Sequence, residues 1–158
     1  MKLWTTISII LLVSACGFHL QGRMPLPRAL SVVQIDAKDP QSSFVQNLRR
    51  ALLSSGARIT RESTEASAVI RVERDELKEH VLSVSSRNIP VEYEMTYTVR
   101  FGVSSAGSER IGGQDIALTR EFSFDEAHVL AKQHEEDALR EALARDLVAM
   151  VMRRLAAL

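Results

Sequence analysis

What this chain has little of narrows its nature first. It holds one cysteine in 158 residues, so no disulfide forms within it and stability must come from a packed core. Its 46% apolar residues are enough to supply one. It has no excess of either charge, with Lys+Arg and Asp+Glu at 20 each. No global field therefore draws it to nucleic acid or to an anionic surface, and any charge-based recognition is local. It lacks an apolar stretch of the ~20 residues that span a bilayer, and it shows no low-complexity tail and no internal repeat. Catalytic signatures are missing as well. His19, His80, His128 and His134 have no metal-ligand spacing, and His134-Glu135-Glu136 misses the second histidine of a zinc helix. No Gly-x-Ser-x-Gly or phosphate-binding glycine loop occurs. Glu92 and Glu94 share one strand face, where paired carboxylates are ordinarily a solvated surface. The expectation is a protein that is not an enzyme, with no metal site and no cofactor.

What is there begins with the first twenty residues. Lys2 supplies a positive start, and Leu3–Val13 is apolar apart from Thr5, Thr6 and Ser8. That run has the length of a secretory h-region rather than of an anchor helix. It ends in Val13-Ser14-Ala15-Cys16, which resembles the lipobox of bacterial lipoproteins. The resemblance implies a diacylglycerol on the Cys16 thiol, cleavage after Ala15 and acylation of the new amino terminus. An odd cysteine in an exported chain agrees with this, and each buried CH₂ of an acyl chain adds about 0.8 kcal/mol of membrane affinity. Gly17 stands where lipoproteins retained at the inner membrane typically carry Asp, which implies the outer membrane. The plain alternative is an ordinary secretory signal and a buried free cysteine. The expected division is a signal peptide over 1–15, a lipidated tether over 16–28 containing Gly22, Pro25 and Pro27, and one domain over 29–158. About 143 residues remain after cleavage, a usual single-domain size.

Within the domain, Ser31–Ala37 is β-branched and apolar and predicts a first strand. Asp39-Pro40 suggests an N-cap with proline at the first helical position. Phe44, Leu48 and Leu52, widened by Val45 and Leu53, form a helical stripe that Ser54-Ser55-Gly56 stops. Arg58–Thr60 is either a short strand or the exit from that helix. Over Ala68–Val84, the residues Ile70, Val72, Leu82 and Val84 share one parity. The charged stretch Asp75–Glu79 between them is a bulge, a bend or a helix. The clearest strand follows, with Val91, Tyr93, Met95, Tyr97, Val99, Phe101 and Val103 alternating with polar residues at period two. A loop over Ser104–Gly113 should then lead to a return strand over Asp115–Phe124, with Ile116, Leu118, Phe122 and Phe124 on one face. A long helix over His134–Ala157 ends the chain, with a stripe of Leu139, Leu143, Leu147, Met150, Val151 and Leu155. Glu135, Glu136 and Asp137 at its start and Arg153 and Arg154 at its end suit the helix dipole. The predicted architecture is α+β: a two-layer α/β sandwich with two helices on one face of a mainly antiparallel sheet of about four strands.

Two small basic spots remain. Arg87-Asn88 sits in the loop before the clearest strand, and Lys132 follows Val129-Leu130-Ala131 just before the last helix. Either side chain is able to pair with phosphate through charge-assisted hydrogen bonds.

Several local features then fall in line. The mature start Cys16-Gly17-Phe18-His19-Leu20 is followed by a proline-containing tether, a strand, Asp39-Pro40 and a helix. Arg87-Asn88 precedes Glu92-Tyr93-Glu94-Met95, and Leu130-Ala131-Lys132 precedes an acidic stretch. Together these resemble the LptE family of lipopolysaccharide-assembly lipoproteins, over essentially the whole mature chain. Some members extend well past the last helix, whereas this sequence stops at Leu158. The resemblance implies a plug inside the lumen of the outer-membrane β-barrel LptD, help in assembling that barrel, and binding of lipopolysaccharide. Family residues implicated in that binding match Arg87 and Lys132. It also implies a chain lipid-anchored to the cell outer membrane, facing periplasm and barrel lumen. A competing expectation from another class is a free, periplasmic-facing lipoprotein that acts as a binding module for a cell-envelope enzyme or a lipid.

Overall fold

The computed structural model describes residues 25–123 and 129–158, with side chains from residue 133 onward in the second stretch. The expected signal peptide, Cys16, and Phe124 of the return strand lie outside the described residues. After Leu26, which rests against the core, a short 3-10 helix (Arg28–Leu30) leads into β1 (Val32–Ala37). Then come α1 (Ser43–Ser54), β2 (Arg58–Thr60), β3 (Ala68–Val84), β4 (Pro90–Ser105), β5 (Ser108–Ser123) and α2 (Val129–Ala156). The sheet has five strands in the order β2-β1-β3-β4-β5. β1 runs parallel to both β2 and β3, while β3, β4 and β5 are antiparallel neighbours. The expected four mainly antiparallel strands are therefore five in a mixed sheet. The short stretch Arg58–Thr60 joins as the parallel edge through the β1-α1-β2 crossover.

Both helices lie on one face, as their stripes require. Phe44, Leu48 and Leu52 of α1 and Leu143, Leu147, Val151 and Leu155 of α2 are fully buried. They meet Val33, Ile70 and the inward residues of β4, of which Tyr93, Met95, Tyr97, Val99, Phe101 and Val103 are all buried. Burial of each large apolar side chain contributes about 1.5–3 kcal/mol. All members of this core and of its partly buried rim fall between Leu26 and Leu155.

Four sequence expectations are corrected. The cap of α1 is Ser42, whose Oγ accepts the Val45 amide at 3.2 Å. Asp39 instead accepts the Gln41 amide at 2.9 Å in a turn that precedes the helix. The hairpin between β4 and β5 is not a ten-residue loop. Ser105 pairs with Ser108, and the two residues between them, Ala106 (φ 52°) and Gly107 (φ 75°), form the left-handed two-residue turn that suits strand twist. Gly112 is built into β5, and the Gly102 site of β4 lies so close to β5 that a Cβ there would stand 3.3 Å from the Ile111 carbonyl oxygen.

The third correction concerns β3. It is one strand, but its register shifts between Val72 and Arg74, and again between Val81, Ser83 and Val84. One extra residue reverses the facing of everything beyond it. Ile70 and Val72 are buried, whereas Leu82 and Val84 are about half exposed. Asp75, Leu77 and Val81 stand opposite Val99, Tyr97 and Tyr93. Fourth, α2 starts at Val129, so Lys132 lies in its first turn rather than before it. The acidic cluster Glu135–Asp137 consequently falls beyond the first turn, where the dipole argument for it weakens.

Candidate lipid-binding end of the sandwich

Arg87 sits in the turn that joins β3 to β4. Ser85 organises this turn: its amide donates to the Ile89 carbonyl at 2.7 Å, and its carbonyl accepts the Asn88 amide at 2.9 Å. Its Oγ accepts the Ile89 amide at 3.3 Å. Asn88 takes the left-handed conformation (φ 61°) that asparagine tolerates better than most residues. The exposed Arg87 is thus carried on a closed turn rather than on a loose loop.

Lys132 comes to the same end by topology. Glu92 pairs with both Ser83 and Ser123, so β5 finishes at the level of the β3–β4 turn. Helix α2 runs back from there, and Arg120, opposite Met95, meets Asp146 of α2 at 3.3 Å. From that contact Lys132 lies about 21 Å toward the helix start, and the Arg87-Asn88 turn lies roughly 23 Å along β4 in the same direction. The two sequence-predicted positions share one end of the sandwich.

Sequence reasoning missed the apolar residues around the turn. Val81, Leu82, Val84 and Ile89 are 51%, 49%, 50% and 37% exposed. Leu82 borders a shallow depression of about 290 Å³ with Glu92, Glu121, Phe122 and Ser123. Leu82 and Val84 fit the parity of a core strand, so only the register shifts reveal them as surface. The charged run before them was the one available signal.

Several polar groups on the open sheet face pair with one another. On the open sheet face Arg100 bonds Glu73 at 2.9 Å and Asp115 at 2.6 Å, and Arg74 reaches Asp115 at 3.6 Å. The hydrogen bond to Glu73, then that to Asp115, hold the Arg100 guanidinium above its ordinary value. Thr96 and Thr119 share a hydroxyl contact of 2.9 Å. These contacts neutralise the Glu73, Arg74, Arg100 and Asp115 part of that face, whereas Glu94 stands opposite Glu121 further along it. The groove between the helices, about 400 Å³ and floored by Ala51, Val148 and Met152, is rimmed by charges already paired through Glu141 with Asn47, Arg50 and Arg145. Among the described residues no three His, Cys, Asp or Glu side chains gather as a metal site, and no helix is long and apolar enough to cross a membrane.

This fold and this sequence are shared. Residues 30–155 match the model of the family LptE, described as lipopolysaccharide-assembly. The LPS-assembly lipoprotein LptE of Pectobacterium atrosepticum is 26% identical over 147 residues, covering 92% of this chain and 79% of that protein. That of Photorhabdus laumondii is 24% identical, covering 90% and 80%. Among solved structures, lipoprotein B of Nitrosomonas europaea superposes with a TM-score of 0.72 at 26% identity, over 89% of this chain and 91% of that one. The rare lipoprotein B of Shewanella oneidensis, at 22% identity over 80% and 94%, shares the fold with a TM-score of 0.68. The family match runs from the 3-10 helix before β1 to the last turn of α2, and the chain belongs to the LptE family of lipopolysaccharide-assembly lipoproteins.

Proposed function

We propose that this lipoprotein is anchored in the outer membrane through acylated Cys16, occupies the lumen of the LptD β-barrel, assists assembly of that barrel and binds lipopolysaccharide through Arg87 and Lys132 without catalysing a reaction. The lipid-binding part is supported by the strand register and helix direction, which put the β3–β4 turn and the first turn of α2 toward the same end of the sandwich. A cation on a closed turn and another on a helix start are held on rigid elements, as a phosphate-binding pair must be. The plug role draws support from the family and from the polar open sheet face, part of whose charge is paired within it. A polar barrel lumen accommodates such a surface at little desolvation cost.

Copurification from detergent-solubilised outer membranes tests the plug. A stoichiometric large barrel supports it, and recovery of the lipoprotein alone or with a soluble partner favours the free binding module instead. Radioactive fatty acid should label the parent and not Cys16→Ser. Arg87→Asp with Lys132→Asp should weaken lipopolysaccharide binding by more than tenfold, since each charge-assisted hydrogen bond contributes about 1.5–3 kcal/mol. Unchanged binding by a folded double variant removes these two residues from the site while leaving the plug role intact.

A further inference from the structure

Strand β3 outruns the cover that α1 gives it. Helix α1 is about 18 Å long, and its N-terminal cap is tied to Asp75, near the middle of a β3 strand that extends about 50 Å. Beyond that tie, β3 carries Val81, Leu82 and Val84, and Ile89 follows across the turn. Large apolar side chains gathered and left half exposed around one turn mark a contact surface. The register shifts divide them between the two sides of the sheet. Val81 stands opposite Tyr93 on the helix side, whereas Leu82, the extra residue between Val81 and Ser83, borders a depression lined by Glu92, Glu121 and Ser123 of the open face together with Phe122. The tip is thus apolar on both faces, with Arg87 at its apex. A protein groove covers one face of a strand pair. A tip with apolar side chains on both sides offers hydrocarbon chains two faces to pack against.

The occupant comes from outside the chain. β1 and β3 are parallel and start level, with Val33 opposite Ala68, so Pro25 lies toward the end of the sheet that holds the Ala106-Gly107 hairpin. From Cys16 to Pro25 a fully extended chain reaches about 30 Å, short of the roughly 50 Å to the tip. Acyl chains on Cys16 would be held in the leaflet near that opposite end.

We propose that the β3–β4 tip takes up the acyl chains of lipopolysaccharide, with Val81, Leu82, Val84 and Ile89 against hydrocarbon while Arg87 meets the phosphates. This rests on the reading that the chain binds lipopolysaccharide, and it assigns the apolar half of that ligand to residues distinct from the charged pair. The cation at the apex of an apolar tip matches an anionic amphiphile, whose charge and hydrocarbon are joined end to end.

The mature chain offers a clean test, because the sole tryptophan is Trp4 in the leader. Leu82→Trp, made in residues 16–158 with Cys16→Ser, places one indole at the tip. Intact lipopolysaccharide should shift its emission to the blue, and fully deacylated lipopolysaccharide should not. Val81→Ser with Leu82→Ser and Ile89→Ser should weaken binding of the intact lipid at least tenfold, with binding of the deacylated form and the thermal melt unchanged. An indole that stays in water while the protein binds intact lipid overturns the proposal and leaves the lipid-binding reading standing. An equal blue shift with phosphatidylcholine or phosphatidylglycerol vesicles overturns the assignment to lipopolysaccharide. Absence of any lipopolysaccharide binding by the parent brings down the underlying reading itself.

Discussion

The hydroxyl of Ser42 donates a hydrogen bond to the carboxylate of Asp75, 33 residues away. The same Ser42 oxygen caps helix α1 by accepting the Val45 amide. Tyr97 completes the cluster from β4: its hydroxyl donates to Asp75 and accepts the Phe44 amide. One carboxylate therefore ties the start of α1 to the two longest central strands, at a point where the helix dipole also favours negative charge.

Asp75→Ala should remove two hydrogen bonds from a partly buried cluster and cost about 1–3 kcal/mol. Ser42→Ala should cost about 1 kcal/mol through the lost cap. The double variant should fall short of the sum, because the side chains act as one unit. Denaturant unfolding of the three variants measures this, and strict additivity would show that the contacts are independent.

Raising the pH reads the same cluster. Burial first, then the bond to Asp75, push the Tyr97 hydroxyl above its ordinary value. Up to about pH 10 it is protonated in both folded and unfolded chains. Above that, the unfolded chain releases this proton and the folded one holds it, so stability falls as pH rises. Tyr97→Phe, although weaker at neutral pH, should show a shallower loss between pH 10 and 11. Parallel slopes in parent and variant would deny Tyr97 its part.

Val99→Asp and Thr98→Asp test the facing of β4. Val99 is fully buried between Asp75 and Ile116. A carboxylate there is desolvated and faces a second one, costing several kcal/mol. Thr98 lies on the open face beside Glu76 and Ala117, so its substitution should be much milder. Thermal melts that rank the two the other way would place the register one residue off.

Ala106→Asn should stabilise the protein by about 0.5–1 kcal/mol. Ala106 holds a positive φ of 52° with the Cβ penalty that asparagine tolerates better. Gly107→Ala at φ 75° should act in the opposite direction by a similar amount. Chemical denaturation of the two hairpin variants decides it, and an equal loss in both would mean that the turn geometry is not what limits the residue choice.

The sequence by itself determined every element whose pattern is local and repetitive. Thirteen alternating residues made β4 legible with its facing, because period two needs no knowledge of a partner. The stripes Phe44-Leu48-Leu52 and Leu143-Leu147-Val151-Leu155 likewise specified two helices with one buried face each. Arg87 in a turn was legible from Asn88 and Pro90, whereas Lys132, expected just before the last helix, lies in its first turn.

Only the tertiary structure decided what depends on pairing between distant residues. Whether Arg58–Thr60 is a strand turns on β1 being beside it, since three residues carry no period. The hairpin chose Ala106-Gly107 over Gly112-Gly113 because the register of β4 against β5 makes that choice, and several glycines fit equally well locally. The shift at Val72 and Arg74 mattered most. The charged run allowed a bulge, a bend or a helix without placing any of them, and the extra residue at Glu73 turned Asp75 inward to meet Ser42 and Tyr97. The second irregularity, around Leu82, left apolar side chains on both faces of the tip. Facing in a strand is set by hydrogen bonds to its neighbour, so it propagates from the pairing and is not written in the residues that it moves.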